Sequence, residues 1–164
     1  MLDTVRVRPI IDTDWPHIAA LEQAAYGPLG LSEGENALRS WRALSPDTCF
    51  VLGQPGAVRA YVLAMPFPYG GYPQLGLSAG VLAGSPNLHL HDLAVAPAFR
   101  RTGLGRSLVT HLDAVAGDLG YRRISLIALS GTFPFWSSNG FRPDPAVPAP
   151  TGYGDNARYL TKVL

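Results

Sequence analysis

The sequence predicts an α/β fold, a mixed central sheet with helices on both faces. Three observations predict it. Segments of strand period and helix period alternate in the order β-α-α-β-β-β-α-β-α-β-β. A hydrophobic fraction of 47% against 15% charged residues suits a buried core; it excludes a disordered chain, a coiled coil and a collagen-like repeat. No repeat, low-complexity tract or linker divides the chain, so residues 1–164 read as one domain.

Residues 4–10 alternate, with Val5, Val7 and Pro9 on one face and Arg6 and Arg8 on the other, and read as the first strand. Asp12, Thr13 and Asp14 offer N-cap oxygens to a helix in which Trp15, Ile18, Leu21 and Ala25 recur at helical spacing. Pro16 fits its first turn and Gly27-Pro28 stops it. A second helix is expected over 32–44, with Ser32 and Glu35 spaced as a capping box and Ser45-Pro46 at its end. Residues 49–52 and 58–65 read as a hairpin. Residues 66–86 form a Pro-, Gly-, Tyr- and Ser-rich loop, long enough to suggest a functional role.

Residues 88–95 are the fourth strand. Leu104, Leu108, Leu112, Val115 and Leu119 form the apolar stripe of a long helix that ends at Gly120. Residues 124–129 are a buried strand. Thr132 is placed to cap a short helix with Pro134 in its first turn, closed by Asn139-Gly140. Residues 141–143 lead out of it into a second loop over 143–154, and 157–164 are the last strand.

A formal net charge of +1 supplies no general field for nucleic acid or an acidic membrane. Lys162 is the single lysine; the other basic side chains are arginine. Apolar runs are a few residues long, too short for a membrane span. Residues 1–10 hold no apolar signal-peptide core, so the expected location is cytoplasmic. The single cysteine, Cys49, excludes an internal disulfide framework and multi-cysteine zinc or iron–sulfur sites. It lies far in sequence from every motif below and is expected to be a buried structural thiol.

The most informative segment runs from the end of the fourth strand into the long helix. Arg100 and Arg101 follow the strand, and Gly103 and Gly105 open the helix. The first N–H groups of a helix have no internal partner, and its dipole favours negative charge there. Glycine lets an anion approach the backbone, and Arg100, Arg101 and Arg106 add charge and forked donors. The turn is not a P-loop, because Gly-Lys-Ser/Thr is absent. Nor is it a dinucleotide fingerprint, because Leu108 occupies the third glycine position.

Arg100-x-x-Gly103-x-Gly105 after Leu93-Ala94-Val95-Ala96-Pro97 resembles the acyl-CoA signature of the GNAT superfamily of N-acetyltransferases. Phe135-Trp136-Ser137-Ser138-Asn139-Gly140-Phe141 is similar to the short helix of that family. The resemblance implies the GNAT fold, with its sheet split between the strand at 88–95 and the strand at 124–129. It implies acetyl-CoA as co-substrate; no metal is expected. The backbone of Leu93, Ala94 and Val95 would bind the acetyl-pantetheine arm and polarise the thioester carbonyl. Arg101, Thr102, Gly103, Leu104, Gly105 and Arg106 would hold the pyrophosphate, with Arg100 beside them and Trp136 against the CoA tail.

His89 and His91 sit two apart on the strand before this turn. That spacing puts both on one face and Leu88, Leu90 and Asp92 on the other. Three readings compete: a shared metal, polar filling of a wet groove, and a general base. An ammonium must lose a proton before it attacks a thioester, and imidazole titrates in the right range. For a hydrolytic zinc site the further histidines are missing, since His17 and His111 fall on helices. His89-Leu90-His91-x-Leu93-Ala94-Val95 is similar to the matching strand of arylalkylamine N-acetyltransferases, whose histidine pair is implicated in proton removal. That resemblance implies an amine beside His91, with His89 relaying the proton outward.

The function implied is acetyl transfer from acetyl-CoA to a primary amine, by direct attack in a ternary complex. The acceptor is expected to be a small molecule. Tyr26, Tyr69, Tyr72 and Tyr153, with Phe67, are expected to wall its site, which would suit an apolar or aromatic amine. No acidic cluster is legible that would point to a polyamine. Trp136 stands where many GNAT enzymes carry a tyrosine that protonates the departing thiolate. Tyr153, Tyr159, Ser137 or a water are the alternatives for that role. Two other functions stay open: an acyl-CoA-binding sensor or partner module without turnover, and a protein N-terminal or lysine acetyltransferase. Homodimers are common in the family, which leaves a homodimer open, though no exposed stripe in the sequence demands one.

Overall fold

The structure, a computed structural model, describes residues 6–75 and 85–164. Thr4 and Val5 of the expected first strand, and 76–84 of the expected loop, lie outside the described residues. In chain order the elements are β1 (Val7–Pro9), α1 (Trp15–Tyr26), α2 (Glu35–Leu44), β2 (Cys49–Gln54), β3 (Ala57–Pro66) and β4 (Asn87–Val95). There follow α3 (Leu104–Asp118), β5 (Arg123–Ala128), α4 (Phe133–Ser138), β6 (Arg142–Pro143) and β7 (Arg158–Val163). The strands form a seven-stranded sheet in the order β1-β2-β3-β4-β5-β7-β6. Among the described residues only the β4–β5 pair is parallel, which makes the sheet mixed, as the alternation of elements predicts.

Helices cover both faces. On one, Trp15 and Ile18 of α1 and Leu38 of α2 pack with Val51, Tyr61 and Leu63. On the other, the α3 stripe buries Leu108, Val109, Leu112 and Ala116 against Leu52, Val62 and Leu88. Truncating a fully buried leucine of that stripe, such as Leu112→Ala, should cost about 2–5 kcal/mol.

Two helix starts depart from the expected chemistry. The second helix begins at Glu35 rather than at 32, with Gly34 at φ 87° as its N-cap. Ser32 makes no capping box with Glu35; its hydroxyl donates to Glu22 Oε1 at 2.5 Å. Thr132 precedes α4 as expected, but its hydroxyl donates back to the Leu129 carbonyl at 2.7 Å instead of capping. In both cases a nearer acceptor outcompetes the helix N–H groups for the hydroxyl.

The sheet opens where it matters. β4 and β5 are paired only from Asn87↔Arg123 to His89↔Ser125. Beyond His89 the two strands lose their register, so residues 90–95 of β4 have no β5 partner. Asn87 ties the closed end, donating from Nδ2 to Ser125 Oγ at 2.8 Å and to the Phe67 carbonyl at 3.1 Å. A β-bulge lies at the same level: Leu63 of β3 pairs with Asp92 and Ala64 with Leu90, so His91 is the extra residue.

Candidate active site

The bulge decides which side chains meet. Regular alternation would send Asp92 to the face of Leu88 and Leu90. The inserted residue shifts the phase, and Asp92 joins His91 on the α1/α2 face, where it accepts from the Tyr61 hydroxyl at 2.9 Å. The expected separation of Asp92 from the histidines is therefore corrected. His89 and His91 do share a face, with ring centroids 6.4 Å apart.

The two histidines occupy different settings. His91 Nε2 lies 2.7 Å from Glu33 Oε2, and both side chains are buried. With the carboxylate as acceptor, Nε2 is the donor of the pair, and in the neutral imidazole of that tautomer the lone pair lies on Nδ1. Nδ1 is buried without a hydrogen-bond partner among the described residues. The Trp41 ring packs 5.0 Å from the His91 ring and fixes its plane. His89 sits at the closed end of the split, 1% exposed, with Nδ1 on Ser125 Oγ at 2.8 Å. Burial, and His91 beside it, pull its pKa down to about 3. His89 does not line the cavity described next, and its depth and low pKa do not suit an outward proton relay.

A continuous cavity of about 730 Å³ follows the split between β4 and β5. One part is the glycine turn. Leu93, Ala94 and Val95 of β4, Arg100, Arg101, Gly103, Leu104, Gly105 and Arg106, and Trp136 of α4 all line it. Thr102 does not; its hydroxyl donates back to the Phe99 carbonyl at the surface. Gly103 adopts φ 87° at the start of α3, a conformation costly for other residues. Gly105 is small for a different reason than anion approach. A Cβ there would lie 2.9 Å from Phe135 Cζ, so glycine lets α4 pack against α3. Phe135 in turn stands edge-on to Trp136 at 4.8 Å.

The other part of the cavity holds carboxylates. Glu22, Glu33 and Asp92 each bring one oxygen within 4.8 Å of the others. All three line the cavity with His91, Tyr26 and Tyr153. Two bare carboxylates at that spacing repel by about 3.5 kcal/mol at an effective dielectric near 20. Neutral donors hold part of this charge. Glu22 accepts from the Ser32 hydroxyl at 2.5 Å and from the Glu33 amide at 2.7 Å, and Asp92 accepts from Tyr61. Burial still pushes the Asp92 carboxyl up to about 7. The expectation that the chain has no acidic cluster is thus overturned. Its members come from α1, the α1–α2 connection and β4, and only folding brings them together.

Of the four tyrosines expected at an acceptor, two are at the cavity. Tyr26 lines it and donates to the Leu93 carbonyl at 2.6 Å; Tyr153 lines it and donates to the Pro73 carbonyl. Burial raises the pKa of both, so both remain phenols. Tyr69 lies outside, exposed, donating to Asp144 at 2.6 Å under the Arg123 guanidinium. Tyr72 also lies outside the lining and props the Tyr153 ring edge-on at 5.7 Å. Phe67 is likewise absent from the lining and stands 6.1 Å from the His89 ring. Among the candidate proton donors, Tyr159 stacks against His89 and Ser137 accepts from Arg142, both away from the cavity. Cys49 is buried, donates to the Ala64 carbonyl at 3.4 Å, and is pushed up to about 12 by burial.

Glu22 and Glu33 are the residues that sequence reasoning missed. Glu22 carried a signal: with Trp15 and Ile18 it falls on the buried side of α1, at i+7 and i+4. A carboxylate at a core position of an amphipathic helix needs a partner or a task. Glu33 carried none, because it lies in the connection between helices.

Comparison with known proteins places the architecture. A family model, described as the acetyltransferase (GNAT) family, matches residues 15–141. No curated protein matches the chain in sequence. Among solved structures the chain resembles Ard1 from Thermoplasma volcanium, at 15% identity and a TM-score of 0.79 over 99% of each chain. It resembles N-acetylglutamate synthase from Neisseria gonorrhoeae, solved with coenzyme A and N-acetyl-glutamate, at 20% identity and a TM-score of 0.74. That match takes in 100% of this chain and 36% of the synthase. It resembles the ribosomal-protein-S18-alanine N-acetyltransferase from Escherichia coli, at 19% identity and a TM-score of 0.62 over 98% of this chain and 94% of that one. At these identities the likeness speaks for the fold.

Proposed function

The chain belongs to the acetyltransferase (GNAT) family, and on that premise we propose that it moves an acetyl group from acetyl-CoA to a primary amine of a small molecule. Acyl-CoA is the co-substrate class of the family. The single observation that carries the reading is the His91–Glu33 pair, buried at 2.7 Å beside the opening of the split sheet.

Each part of the cavity has a task in this reading. Arg100, Arg101 and Arg106, with the N–H groups that open α3, receive the pyrophosphate. The β4 edge beyond His89, freed from β5, receives the pantetheine arm and presents backbone donors to the thioester oxygen. Glu33 keeps the hydrogen on His91 Nε2, which leaves Nδ1 to take the proton of the acceptor ammonium. The freed amine attacks the thioester carbonyl, the C–N bond forms, the C–S bond breaks, CoA leaves as its thiolate, and the second proton that the nitrogen sheds ends on that sulfur. Tyr153, kept protonated by burial, is the candidate to relay that proton, giving its own to the sulfur as it takes the one the nitrogen sheds, in place of the tyrosine that Trp136 replaces. His89 holds the closed end of the split through Ser125 and takes no proton at neutral pH.

Thermal unfolding with acetyl-CoA, free CoA and ATP tests the first half. Ligand at about 100 times its Kd adds about 2.7 kcal/mol to native stability, a rise of several degrees for a domain of this size. Both CoA species should raise the midpoint and ATP should not. Equal rises with all three, or none, would sink the reading. CoA thiol release that depends on added amine tests the second half.

A further inference from the structure

We infer that the acceptor carries a second positive charge, which stays in place against Glu22 and Asp92 while its first amine is acetylated. The inference rests on the amine-acetylation reading above and names its substrate class. It starts from a count of charges. Three carboxylates, those of Glu22, Glu33 and Asp92, converge within 4.8 Å on one cavity. The donors on Glu22 and Asp92 are neutral: the Ser32 hydroxyl, the Glu33 amide and the Tyr61 hydroxyl. The arginines that line the cavity belong to the glycine turn.

A reacting ammonium brings one positive charge. When it gives its proton to His91 that charge stays in the site, because the imidazole now carries it. The charged imidazole then lies against Glu33, and Glu22 is left with no cation among the described residues, whether Asp92 is ionised or protonated. A monoamine therefore leaves buried negative charge uncompensated, and a cation that never deprotonates removes the deficit.

A second, independent observation points the same way. His91 Nδ1 and Asp92 Oδ1 are buried polar atoms with no hydrogen-bond partner among the described residues. The His91 side chain is 1% exposed and Asp92 6% exposed, and both residues line this cavity. Unpartnered donors and acceptors at such depth are rare in native folds unless a ligand satisfies them. The atoms divide the labour: the lone pair on Nδ1 suits the amine that reacts, and Oδ1 suits a donor that stays charged. Leu29, Leu31 and Leu75 line the same cavity and suit an alkyl spacer between the two groups. The chemistry described is that of a short alkyl diamine, not of the aromatic monoamine that the tyrosines alone would suggest.

The test compares 1,4-diaminobutane with 1-aminopentane, close in length and differing in the second ammonium. CoA thiol release gives kcat/KM for each with the native chain. Leaving a buried charged partner unsatisfied typically costs enough for a preference of at least about tenfold, so the diamine should win by that factor or more. Glu22→Gln and Asp92→Asn should each shrink the ratio of the two values. The midpoint rise with acetyl-CoA verifies that each variant is folded. Equal kcat/KM for the two amines, or a preference for the monoamine, overturns the inference and leaves amine acetylation standing. No turnover of either amine, with acetyl-CoA bound, overturns the amine-acetylation reading and this inference together. A midpoint rise with magnesium, manganese or zinc ions, lost in Glu22→Gln and absent with the diamine, would reassign the cluster to a metal and overturn the inference as well.

Discussion

His91 Nε2 and Glu33 Oε2 meet at 2.7 Å, joining the bulge of β4 to the connection between α1 and α2. The contact selects the tautomer with hydrogen on Nε2, in the one histidine among the described residues that lines the cavity. Glu33→Gln retains the size of the side chain and removes its charge. It should lower kcat for acetyl transfer by about tenfold or more while leaving KM for acetyl-CoA unchanged. A rise in KM for acetyl-CoA with kcat intact would place Glu33 outside the proton path.

Stability should respond to pH through two buried groups of opposite sign. His89 titrates near 6.5 when unfolded and at about 3 when folded. Its contribution is complete above 6.5 and fades by about 1.4 kcal/mol per pH unit as the pH falls towards 3. Asp92 titrates near 3.8 when unfolded and at about 7 when folded. Its contribution is complete below 3.8 and fades as the pH rises through 7. The slopes oppose each other from 3.8 to 6.5, so the parent chain should be nearly flat there. His89→Asn exposes the Asp92 slope and should lose stability as the pH rises across that window. Asp92→Asn exposes the His89 slope and should gain it. Urea midpoints at both ends of the window read this out; parallel profiles for all three chains would count against both assignments.

Gly105 separates packing from anion binding. A Cβ at this position meets the Phe135 ring at 2.9 Å, so Gly105→Ala must push α4 away from α3. The expected cost is about 1–3 kcal/mol, with a weaker midpoint rise in acetyl-CoA because Trp136 moves with α4. Differential scanning calorimetry with and without acetyl-CoA checks both parts. Unchanged stability would mean that the junction has slack the structure does not show.

Cys49 should take no part in transfer. Its thiol is buried and pushed up to about 12, so almost no thiolate exists at neutral pH. Cys49→Ala should keep native kcat, and intact-mass analysis after acetyl-CoA without amine should show no acetylated chain. A stable mass gain of one acetyl group that disappears in Cys49→Ala would replace direct attack with a covalent route.

The fold was largely legible because its signals are local. The α3 stripe, the strand pair at 49–66 and the glycine turn each announce themselves within one short stretch of chain. The split of the sheet between β4 and β5 followed from the resemblance rather than from periodicity. The acidic half of the cavity was not legible, for two physical reasons. One inserted residue at His91 reverses the phase of β4, and no propensity marks a bulge there. The Ser32–Glu35 spacing also suggests a capping box, yet Ser32 turns to Glu22 because a carboxylate is the stronger acceptor. Glu22 itself sat in view on the buried side of α1. Counting Leu21 in the apolar stripe, one residue away, hid it.

The most direct test of the account follows CoA thiol release from acetyl-CoA and a saturating primary amine, for the native chain and for His91→Gln. The account predicts that kcat falls by about 10²- to 10⁴-fold in the variant, while the midpoint rise with acetyl-CoA is unchanged. A variant that binds acetyl-CoA equally and transfers the acetyl group at the native rate would contradict it.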